Sequence, residues 1–104
     1  MANRPRGGTR KPDLKAAQEA ASALAIAALT FIAGDPERLG RFLALSGIGP
    51  ESIRTAARDP GFLLGVLEHV VGDEALLVDF ANANEIDPLD VERARRVLAG
   101  DEPQ

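Results

Sequence analysis

The nine residues "LSGIGPESI", 45–53, have the types and spacing that hold a phosphate. An apolar residue, Leu45, precedes a Gly47-Ile48-Gly49 hairpin, and a helix is expected at once from Pro50. In a DNA-binding helix-hairpin-helix the two glycines let the backbone approach the strand. The free N–H groups at the start of the second helix then hold phosphate oxygens. Arg54 and Arg58, one and two turns on, add positive charge, while Pro50 removes one donor and Glu51 places a negative charge in the hairpin. The same residues also fit a purely structural turn, in which Gly47 ends one helix, Ile48 plugs the core and Gly49-Pro50 opens the next.

Other chemistry has little to work with. His69 is the single histidine, and it falls at the edge of an apolar helical arc without a partner constellation for acid–base work. Asp73, Glu74 and Asp79 could suggest a cation site, but Asp73 and Glu74 stand where a helix begins and complement its dipole. There is no calcium-type loop, Walker or Rossmann glycine motif, or nucleophile elbow. With zero cysteines, thiolate metal sites and a cysteine nucleophile are excluded. No enzyme activity, cofactor, metal or small-molecule substrate is expected. Arg93, Arg95 and Arg96 crowd the end of the last helix, where positive charge suits the dipole and the side chains are expected to stay wet.

The 104 residues bound a single domain, and an Ala/Leu-rich composition with four Phe and no Trp or Tyr favours helices. Charge is divided unevenly. Residues 1–15 carry Arg4, Arg6, Arg10, Lys11 and Lys15 against Asp13, a net +4, whereas the remaining residues carry 7 basic and 15 acidic side chains, a net −8. The opening "MANRPRGGTRKP" has Pro, Gly and charge but no apolar period, so residues 1–12 read as a disordered basic arm. Such arms bind nucleic acid by counterion release, and Arg4, Arg6, Arg10 and Lys11 are its candidate contacts. The apolar run from Ala20 to Ala33 is short for a bilayer span and lacks the cleavage pattern of a signal peptide. A buried helix in a cytoplasmic protein, with no membrane partner, accounts for it.

Punctuation then positions the elements. Asp35-Pro36, Gly49-Pro50, Asp59-Pro60 and Asp87-Pro88 are helix starts, with Asp13 and Asp73 as further caps. Gly34, Gly47, Gly72 and Gly100 are stops able to turn left-handed. These marks predict helices over 14–33, 36–46, 50–58, 60–71, 74–83 and 88–99 and no sheet. The first helix is apolar all round in its second half, where Ile26 and Leu29 oppose Leu24 and Phe31, so it should be central. The expected fold is all-α, a compact orthogonal bundle of about six short helices over 13–100, with a disordered tail at 101–104.

The segments "DPGFLLGVLEHVVGDEALLVDFA" and "DPLDVERARRVL" resemble an alphaproteobacterial domain family of unknown function, number 3572, over residues 15–100. The resemblance implies a small, soluble, all-helical bacterial protein and carries no activity, cofactor or catalytic residue.

The apolar arcs of 60–71 and 74–83 each span about half the helical circumference or more. Arcs that wide can exceed what a small core covers, so Leu63, Leu67 and Val71 form a candidate face for a protein partner or a homodimer. The expected function is a non-enzymatic helical module that binds another macromolecule, foremost protein. The alternative is a DNA-binding, nucleoid-associated protein using the Gly47-Ile48-Gly49 turn and the arm.

Overall fold

Aspartate starts every helix longer than one turn, and the bond it makes depends on whether proline is the next residue. In the computed structural model, which describes residues 13–100, the helices are α1 (Leu14–Ala33), α2 (Pro36–Ser46), α3 (Ile53–Ala56), α4 (Pro60–Val71), α5 (Glu74–Ala83) and α6 (Pro88–Ala99). A 3-10 turn, Pro50–Ser52, leads into α3, and no strand occurs among the described residues. Where Pro is the first helical residue, the cap accepts from the next N–H. Asp35 takes Glu37 N at 2.9 Å, Asp59 takes Gly61 N at 2.8 Å and Asp87 takes Leu89 N at 2.9 Å. Without Pro the bond reaches one residue further, from Ala16 N to Asp13 and from Leu76 N to Asp73, both at 3.2 Å. Each cap satisfies an N–H that the helix itself leaves free.

The stops divide into two kinds. Gly47 and Gly100 take left-handed backbone at φ 75° and 83°, as a glycine terminator should. Gly34 and Gly72, expected to do the same, stay right-handed at φ −75° and −76°. The reason is the aspartate after each: Asp35 and Asp73 turn extended at once to cap the next helix, so no left-handed residue is needed. At Gly72 small size is what counts, since a Cβ there would lie 3.1 Å from the Glu68 carbonyl oxygen. The end of α5 has no glycine, and Glu85 itself takes the left-handed turn at φ 56°. Ile86 N closes it onto the Ala81 carbonyl at 2.9 Å.

The helix expected over 50–58 is instead the 3-10 turn and the single turn of α3. Gly49 offers no side-chain cap, and Pro50 removes a donor. Asp59 must be extended because it precedes Pro60, so the chain leaves the helix before it. No residue from 50 to 58 is fully buried, and a helix this short is not stable without burial.

The core forms where α1, α4 and α6 meet one another, with α5 and α2 closing the sides. Ala21, Ala25, Ala28, Leu29 and Ile32 of α1 face Leu63, Val66, Leu67 and Val70 of α4. Val91 and Ala94 come from α6, Leu76 and Phe80 from α5, and Phe42 from α2. The alanines of α1 let its neighbours approach closely. No polar or charged side chain is buried among the described residues. Burial of each large side chain contributes about 1.5–3 kcal/mol, and this is the main term holding the bundle.

α1 is central, as its composition predicts, but it is not enclosed on all sides. Ile26 remains 45% exposed, and of Leu14–Ala20 only Ala17 is even half-buried. With a mean hydropathy of 1.5, α1 is long and apolar enough to cross a membrane by length and composition. Its second half nevertheless supplies four core residues, Ala25, Ala28, Leu29 and Ile32. The arm at 1–12 and the tail at 101–104 lie outside the described residues.

Candidate functional site

α2 crosses the bundle so that its polar face meets α5 while its apolar end meets α4, and two depressions result. The first is a polar cleft lined by Glu37, Arg38, Arg41, His69, Asp73 and Asp79. Arg38 bridges to Asp35 and Asp79, each at 3.4 Å, and its guanidinium lies 4.4 Å from the centre of the Phe31 ring. Arg41 reaches Asp73 at 3.4 Å. His69 packs against Phe42, and burial there pushes the imidazole below its ordinary pKa; Asp73 pulls it up and Arg41 pushes it further down. The cleft encloses about 160 Å³, whereas small-molecule sites begin near about 300 Å³. Its arginines pair across α2 and α5 in partly exposed contacts. Among the described residues no three of His, Asp or Glu are arranged to hold a metal ion.

The second depression is apolar and three times larger, about 480 Å³. One wall is the end of α2 and the hairpin, with Leu45, Ser46 and Ile48; the other is α4, with Gly61, Gly65 and Glu68. Phe42 and Phe62 form its base, their rings 5.8 Å apart and edge to face. The groove exists because α4 presents glycine twice, four residues apart, on the flank beside the aromatic base. A Cβ at Gly65 would meet nothing within 4 Å. Leu45 on the rim is 71% exposed, the highest value among the large apolar side chains of the described residues.

The hairpin is part of this wall. Gly47 is exposed, Ile48 and Gly49 are half-buried, and Ile48 N donates to the Ser46 hydroxyl at 3.3 Å. Gly49 has ordinary backbone at φ −79°, so its glycine serves close approach rather than handedness. What approaches it is Glu51: a Cβ on Gly49 would stand 2.6 Å from the Glu51 carboxylate. Ser52 N donates back to the Gly49 carbonyl at 3.0 Å. Arg54 and Arg58 are exposed on and just after α3. Arg4, Arg6, Arg10 and Lys11 lie outside the described residues. On α6, Arg93 pairs with Asp90 at 2.9 Å, and Arg95 and Arg96 both bond Glu92, at 2.8 and 3.2 Å. The Arg95 hydrogen bond holds the Glu92 carboxyl below its ordinary pKa. The expectation that these arginines stay wet holds for Arg93 and Arg96; Arg95 is half-buried along with Glu92.

The candidate face at Leu63, Leu67 and Val71 is corrected. Leu63 is 4% exposed and Leu67 fully buried, and Val71 is half-buried against the core. The arc is wide because α4 touches α1, α5 and α6 and needs an apolar side for each. The apolar surface left open lies on its other flank, at Phe62 and Gly65. The only sequence signal for it is the pair Gly61 and Gly65, two helix-weakening residues in one helix.

No curated protein and no solved structure matches the chain. A family model matches residues 18–101, which include every helix but the first turn of α1, the groove and the cleft. The chain therefore belongs to the family described as "Protein of unknown function (DUF3572)".

Proposed function

We propose that the chain is a non-enzymatic helical module that binds another protein through the groove between the end of α2, the hairpin and α4. The observation that carries this reading is Leu45, 71% exposed on the rim of an apolar groove whose wall is open at Gly65. A large apolar side chain left in water beside unfilled apolar space is the pattern of a docking surface. The polar cleft is small, and its two arginines are paired with Asp35, Asp79 and Asp73, which favours the groove. The setting we propose is the bacterial cytoplasm, which the absence of cysteine fits.

DNA binding ranks second. The Glu51 carboxylate lies beside Gly49 and puts negative charge in the hairpin, and α3 is one turn long. The hairpin geometry therefore favours a structural turn that walls the groove.

The test is affinity capture with the tagged full chain, its Leu45→Glu variant and its Gly65→Leu variant, each shown to be folded by circular dichroism. A partner recovered by the parent and lost by both variants is the expected result. Equal recovery by all three chains would overturn the reading.

A further inference from the structure

We propose that the occupant of the groove is Leu45 of a second copy, so that the module acts as a two-fold homodimer. This rests on the groove being a protein-binding surface and names the protein.

Knob and socket lie on one face of one chain. Leu45 projects from the rim, and beside it Gly61 and Gly65 leave the groove unfilled. A two-fold axis demands a surface that complements itself, in which each residue i meeting j is matched by j meeting i. Here the partner's Leu45 enters one groove while the first chain's Leu45 enters the other. An unrelated partner would need to supply its own knob, and Leu45 would then have no assigned place.

Charge agrees with the same docking. Arg41 stands one turn before Leu45 on α2, its side chain 69% exposed. Glu68 stands one turn after Gly65 on α4 and is exposed. Laying α2 antiparallel along the partner's α4, with Leu45 over Gly65, puts Arg41 about 6 Å along from that contact and Glu68 about 4.5 Å along in the same direction. Opposite charges therefore meet, and by symmetry they meet twice. The pair Arg41 now makes with Asp73, at 3.4 Å and in solvent, is loose enough to exchange. The apolar contact is one leucine from each protomer, so the dimer is weak and concentration-dependent.

Sedimentation equilibrium of the full chain from micromolar to millimolar concentration tests this. The expected result is a monomer–dimer equilibrium that Gly65→Leu and Leu45→Glu each weaken by roughly tenfold or more. Gly65→Leu fills the socket at a position where a Cβ touches nothing, so the fold should be retained, and circular dichroism checks it. Arg41→Glu and Glu68→Arg should each weaken the dimer, and the double variant should recover it. A chain that stays monomeric throughout overturns the proposal. So does a dimer indifferent to Gly65→Leu and Leu45→Glu, or a double variant no better than the single ones. A monomer whose captured partner is still lost in Gly65→Leu overturns self-association alone and leaves the protein-binding reading in place. Equal capture by all variants removes the reading beneath it as well.

Discussion

Phe42 of α2 meets His69 of α4 edge to face, with ring centroids 5.1 Å apart and planes at 75°. The contact stands between the polar cleft and the apolar groove, since His69 lines both. Burial at this place disfavours the charged imidazolium. In the unfolded chain His69 titrates near 6.5, and in the folded chain its pKa is lower, chiefly through burial. Below 6.5 the unfolded state then binds more protons than the folded state, so stability falls as pH drops through that window. Urea midpoints should be lower at about pH 5.5 than at about pH 7.5. In His69→Phe this part of the slope should vanish, and an unchanged slope would mean that other groups carry it. Glu92 acts lower on the scale: its pKa is depressed from 4.5, so the stability it contributes is lost as pH falls below that value.

Phe80 is fully buried, and its ring lies 5.7 Å from that of Phe31. It joins α5 to α1 inside a core that holds no polar side chain among the described residues. Phe80→Ala should cost about 3–5 kcal/mol, a large share of the ~5–15 kcal/mol that hold a domain of this size. Chemical denaturation measures it, and a loss below about 1 kcal/mol would contradict the packing described.

Two glycines in α2 and at its end should respond with opposite signs. Gly40 is helical, exposed and open around its Cα, so Gly40→Ala should stabilise by about 0.5–1 kcal/mol. Gly47 sits at φ 75°, where a Cβ is strained, so Gly47→Ala should destabilise by roughly 1–2 kcal/mol. Thermal melts of the two variants should bracket the parent.

Duplex DNA offers a separate check on the hairpin. Residues 13–104 carry a net charge of −8 and should bind DNA weakly or not at all, and Glu51→Lys should change this little. Any binding by the full chain should be salt-sensitive and lost with residues 1–12, because the salt slope counts the phosphates neutralised by the arm's cations. Tight binding by residues 13–104, abolished by a bulky residue at Gly49, would move DNA to first place.

Local chemistry is legible in the sequence wherever cause and effect lie within one turn. Five helices begin at their Asp marks and four of them end at a Gly mark, since an aspartate caps an N–H two or three residues away whatever the rest of the chain does. The sixth departs from its marks because Pro60 acts backwards on Asp59, and because α3 has too little burial to lengthen. Gly34 and Gly72 look like Gly47 and Gly100 in sequence, and only the extended aspartate after each decides that they need not turn left-handed.

Tertiary structure decided what the apolar arcs are for. An arc's width reports how much surface a helix must bury, but not how many neighbours share it. α1, α5 and α6 share the arc of α4, so Leu63 and Leu67 vanish inside. Leu45, Phe62 and Gly65 are 20 residues apart at their extremes, and no periodicity links them. The groove appears only when α2 lies across α4 and sets Phe42 between Phe62 and His69, leaving two glycines where side chains would have closed it.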